Sequence, residues 1–99
     1  MSEPRIEVSR VDVEQFLSRF HVRVVDGDGG DGSYDVTMSG ADWERLGSAH
    51  ETPEALIEAC FRFLLEREPK EQILGSFDVS QISGYFPDFE RAISQPGQG

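Results

Sequence analysis

Cysteine and lysine each occur once in this sequence, as Cys60 and Lys70, and those two scarcities exclude a good deal. One cysteine cannot close an intrachain disulfide, which suits a reducing, cytoplasmic setting. A zinc site needs about four His, Cys or acidic ligands. Cys60, His21 and His50 are too scattered to suggest one, so no metal and no cofactor is expected. Basic residues are few: nine Lys and Arg face nineteen Asp and Glu, a net charge of −10. Gripping a phosphate backbone or an anionic lipid surface requires the opposite sign. Nucleic acid and membrane are therefore not expected partners. Long apolar runs are missing too. No stretch approaches the roughly 20 residues that span a bilayer, and Met1-Ser2-Glu3-Pro4-Arg5 lacks the apolar core of a secretory signal.

What is present argues for folding. Hydrophobic residues make up 37% of the 99, and seven of the ten aromatics are Phe. That is above the composition of disordered acidic chains, and the length suits one core. One domain over residues 1–93 is expected, with a disordered Gln/Gly/Pro tail over 94–99.

The clearest strand signals lie at 21–25 and 34–38. Val22 and Val24 alternate with His21 and Arg23, and Tyr34, Val36 and Met38 with Asp35 and Thr37. Between them, 26–32 is an Asp/Gly stretch suited to a hairpin connection. Ile6 and Val8 permit a third strand over 5–9. Val13, Phe16, Leu17 and Phe20 have the i, i+3, i+4, i+7 spacing of a helix face after Asp12, which favours a helix over 12–20 against a single extended strand. Ser39 or Asp42 can start a short turn carrying Trp43 and Leu46, ended by Gly47. Thr52 as N-cap, Pro53 at the first position and Glu54 in the first turn open the main helix, which Pro69 closes. Its apolar residues exceed one stripe, so it is either central or partner-facing. Short helices follow, one ending at Gly75 and one capped by Asp78. The expected fold class is α+β: a small antiparallel hairpin or three-stranded sheet on one main helix, with short C-terminal helices.

Several motifs invite chemistry and fail on spacing. Read as an EF-hand from Asp26, the loop has Asp31 where Gly is needed and Thr37 where a bidentate Glu is needed. As a phosphate cradle it leads into a strand, and its three acids repel phosphate. Cys60 lies among apolar helix residues, with no base at a telling spacing, as a small buried hydrophobe would. No catalytic residue is expected. Trp43, Tyr85, Phe86 and Phe89 are the candidate partner-binding residues, since exposed aromatics anchor interfaces.

Phe61-Arg-Phe-Leu-Leu-Glu-Arg-Glu-Pro69, followed by Phe77-Asp78, Ile82 and Tyr85-Phe86-Pro87, resembles the ending of a group of short bacterial proteins with no assigned activity. Residues 21–68, a Gly-rich hairpin leading to Thr52-Pro-Glu-Ala-Leu56, are similar to the hairpin-plus-helix domain of HicB-type antitoxins. The first resemblance implies no activity; the second implies an inhibitor of a basic toxin. The residues themselves favour a non-catalytic protein-interaction or regulatory module. Its partner would be a protein, basic or a second copy of the chain, meeting apolar surplus ringed by Glu66, Glu68, Asp88 and Glu90.

Overall fold

The computed structural model describes residues 5–14, 16–25, 31–47 and 50–94. Three nine-residue strands come first: β1 (Arg5–Val13), β2 (Leu17–Val25) and β3 (Asp31–Ser39). They form an antiparallel meander. Two helices follow, α1 (Gly40–Leu46) and α2 (Pro53–Arg67). The chain then returns as β4 (Ser76–Asp78), parallel to β3, and closes the sheet in the order β1-β2-β3-β4. Two short helices end it, α3 (Ile82–Tyr85) and α4 (Phe89–Ser94). The fold is a small α+β domain, with one more strand than the alternation in the sequence suggested. Among the described residues no helix is long and apolar enough to cross a membrane.

Alternation decides which sheet face is covered. Phe20, Val22 and Val24 of β2 and Tyr34, Val36 and Met38 of β3 are buried, while His21, Arg23 and Asp35 between them are exposed. On the buried side lies α2, begun as its sequence requires. Thr52 Oγ1 accepts the Ala55 N–H at 3.1 Å, and Pro53 stands in the first turn. Leu56, Ile57, Cys60, Phe61, Phe63 and Leu64 are all buried. This helix is central. Phe61 packs between Tyr34 (5.1 Å between ring centroids) and Phe77 (5.8 Å). On its other flank Phe63 meets Phe86 and Phe89 edge-on, at 5.8 and 5.2 Å. The apolar surplus expected to lie open on α2 is therefore covered by the sheet on one side and the C-terminal turns on the other.

The helix expected over 12–20 is not there. Glu14 N–H donates to Leu17 C=O at 2.8 Å, closing a tight turn between β1 and β2. Val13 and Phe16 are exposed, and of the four spaced apolar residues only Phe20 is buried. The helical spacing was coincidental; cross-strand pairing with β3 set the structure, since Leu17 to Val25 all find partners there. A register shift between Arg10 and Asp12 marks a bulge at Val11. The other corrections are smaller. The strand expected over 5–9 continues to Val13, and Ile73 leaves a 3-10 turn at Lys70–Gln72 in extended conformation rather than helical. Helix α4 includes Ser94, where a disordered tail was expected to begin; residues 95–99 lie outside the described residues.

Two contacts tie the C-terminal turns down. Arg45 of α1 reaches Asp42 Oδ1 at 2.7 Å and Glu90 Oε1 of α4 at 2.5 Å. His50 Nε2 donates to the Ile93 C=O at 2.8 Å.

Candidate groove between the main helix and the C-terminal turns

The end of α2, the connection into β4 and helix α3 enclose a half-open groove of about 310 Å³. Its floor is core: Leu64 of α2, Ile73, Phe77 of β4 and Ile82 of α3 are all buried. Its walls are not. Leu74 is 49% and Tyr85 66% exposed, high for residues of that size, and both line the space. Glu68, Gln72 and Gln81 supply the polar rim, so among the described residues the only charge lining the groove is negative. Phe86 also lines it, half-buried on Phe63.

A capping box holds one side of this groove. Asp78 opens the 3-10 turn at Val79–Gln81 that runs into α3; its Oδ2 accepts the Ser80 N–H at 3.0 Å, and Asp78 N–H donates to Gln81 Oε1 at 2.8 Å. Thr37 Oγ1 of β3 donates to the other carboxylate oxygen, Oδ1, at 2.5 Å. Burial alone would raise the Asp78 carboxyl, but the bonds from Thr37 and Ser80 outweigh it and bring it below the usual aspartate value. A lowered carboxyl contributes stability that is full above the ordinary value of about 3.9 and lost as pH falls through the lowered one. Replacing Asp78 by Ala should cost about 0.5–2 kcal/mol at neutral pH. It should also flatten the acid limb of stability against pH measured by urea unfolding. An unchanged acid limb would mean the carboxylate carries no such bonds.

The partner-binding residues expected from sequence separate into three groups. Tyr85 and Phe86 meet in the groove. Trp43 lies on α1, half-buried against the core, and does not line it. Phe89 is 1% exposed, a core residue and no surface anchor, because α4 folds back so that its ring packs on Phe63. Leu74, Ile73 and Gln81 were missed. The one available signal was Ile73-Leu74 before Gly75, an apolar pair in a stretch too short for either periodicity.

Nucleophile chemistry finds no support at Cys60, which is enclosed in the core, where burial pushes its thiol up. Among the described residues no three His, Cys, Asp or Glu side chains converge as a metal site would require. Of the three acids in the Asp/Gly stretch, Asp31 pairs with Arg23 at 2.6 Å, and Asp26 and Asp28 lie outside the described residues. Beside Glu68, at the end of α2, Arg67 is engaged: it stacks 3.6 Å over the Phe63 ring and bonds Asp88 at 2.9 Å. No protein-family model matches the chain, and neither a curated protein nor a solved structure matches it.

Proposed function

We propose that this chain is a non-catalytic protein-binding module that seats one large apolar side chain of a basic partner segment in the groove beside α3. The observation that carries the reading is the pairing of exposed Leu74 and Tyr85 over a buried apolar floor. About 310 Å³ accommodates a Leu, Phe or Trp side chain, and burying one stabilises a complex by about 1.5–3 kcal/mol. That is an anchor's contribution, with the remainder supplied at the rim.

Charge selects the partner. Glu68 lines the groove and the whole chain carries −10, while Glu66 and Asp88 nearby both pair with Arg67. A Lys or Arg beside the anchor would meet that field, and an acidic segment would be turned away.

The test uses synthetic peptides with a central Leu or Phe flanked by Lys and Arg, against the same peptides flanked by Glu. Binding is followed by amide shifts in the NMR spectrum. Basic peptides should give saturable shifts at Leu64, Ile73, Leu74 and Tyr85, and Leu74→Ser with Tyr85→Ala should weaken them at least tenfold. Equal binding of both peptide sets, or shifts elsewhere, would overturn the reading.

A further inference from the structure

Strand β4 is at once an outer strand of the sheet and part of the groove. Its neighbour in the sheet is β3, and Phe77 at its centre belongs to the groove's floor. The parallel register decides which backbone groups it leaves over. Asp35 N–H donates to the Gly75 C=O at 2.8 Å, and Asp35, Val36 and Thr37 stand beside Ser76, Phe77 and Asp78. Alternate residues of a strand bond the same neighbour. The Phe77 N–H and C=O therefore face β3, and the N–H groups of Ser76 and Asp78 face outward. Asp78 N–H is taken up locally by Gln81 Oε1 at 2.8 Å. Ser76 is left, an exposed residue whose N–H and C=O point away from the sheet between groove-lining Leu74 and Phe77. The approach is open: a Cβ on Gly75 would meet nothing within 4 Å.

We propose, on the footing that the groove binds a partner, that the partner segment is an extended strand pairing antiparallel with β4. The reason is desolvation. A segment seated over Leu74 and Phe77 excludes water from the Ser76 N–H and C=O between them. A helix spends its own backbone groups internally and would leave both unpaired, which is costly. An extended segment restores both bonds while it seats its anchor.

The register of the bound segment follows. One partner residue exchanges both bonds with Ser76, and residues directly opposite one another share a sheet face. Ser76 stands beside exposed Asp35, on the face away from α2, so its partner points away from the groove. The residue before that partner lies opposite Phe77 and points into the groove. It is the anchor. The residue after the anchor lies over Ser76, where a Lys or Arg extends toward the Asp35 carboxylate. The segment recognised is thus a large apolar residue followed directly by a basic one.

The decisive change is made on the peptide, which leaves the protein untouched. In the Leu- or Phe-centred peptides flanked by Lys and Arg, each backbone nitrogen is methylated in turn, and binding to the intact chain is followed by amide shifts. Methylating the residue after the anchor removes the bond to the Ser76 C=O and should weaken binding at least tenfold. At the anchor itself the N–H faces solvent, and affinity should stay within about twofold. Ser76→Pro removes the outward donor from an edge strand, where proline is tolerated, and should also weaken binding at least tenfold. Ser76→Ala keeps the backbone and should bind as the native chain does. Should Ser76→Pro unfold, the methylated peptides decide. Uniform tolerance of methylation, or tighter binding by peptides locked as helices, would overturn the strand and leave the groove standing. No binding by any basic peptide would overturn both.

Discussion

Replacing Phe89 by Ala should cost about 3–5 kcal/mol, as truncations of fully buried Phe do. The ring is 1% exposed and meets Phe63 edge-on at 5.2 Å, pinning α4 to α2. With roughly 4–8 °C of midpoint per kcal/mol in a domain of this size, the thermal midpoint should fall by at least about 12 °C. Tyr85→Ala, four residues earlier and two-thirds exposed, should stay within about 0.5 kcal/mol of the native chain. The pair of measurements separates core from groove. Comparable losses at the two positions would show that α3 and α4 are packed otherwise than described.

Gly47→Ala is expected to destabilise by about 1–3 kcal/mol, the cost of overpacking a close contact. The reason is space and not backbone strain, since φ at Gly47 is −83°. A Cβ there would collide with Cε3 and Cζ3 of Trp43, and an indole is a rigid neighbour. Trp43 is the only tryptophan, so its fluorescence reports the displacement directly. A smaller side chain at 43 should recover part of the loss in the double variant. Gly→Ala substitutions that fit their site stabilise by about 0.4–1 kcal/mol. Such a gain here, with unshifted emission, would place the indole elsewhere.

Local signals read the elements that carry their own caps or a strict period. Thr52-Pro53-Glu54 begins α2, Ser39 Oγ accepts the Asp42 N–H to begin α1, Gly47 ends it, and Asp78 caps its turn. The alternation at 21–25 and 34–38 gave the two central strands. Where two periods competed, the local reading failed. Val13, Phe16, Leu17 and Phe20 satisfy a helical face, yet the segment is a turn and a strand, because pairing with β3 satisfies its backbone over nine residues. Strand β4 has three residues, too few for any period, and it exists because it pairs parallel alongside β3, with Phe77 in register beside Val36.

The candidate site divides the same way. Tyr85 and Phe86 could be named in advance as aromatics on a short element. Their separation from Phe89 could not, because burial of a ring near a chain end depends on where the following helix docks. The sequence by itself determined composition, the acidic charge, one core, the capped main helix and the central strands. These follow from residue types and spacings within one element. Only the tertiary structure decided the groove, the fourth strand, the burial of Phe89 and the edge position of β1. Each is a meeting of residues distant in the chain, Phe63 with Phe89 or Tyr34 with the Lys70 carbonyl at 2.7 Å. No local periodicity encodes which distant surfaces will exclude water together.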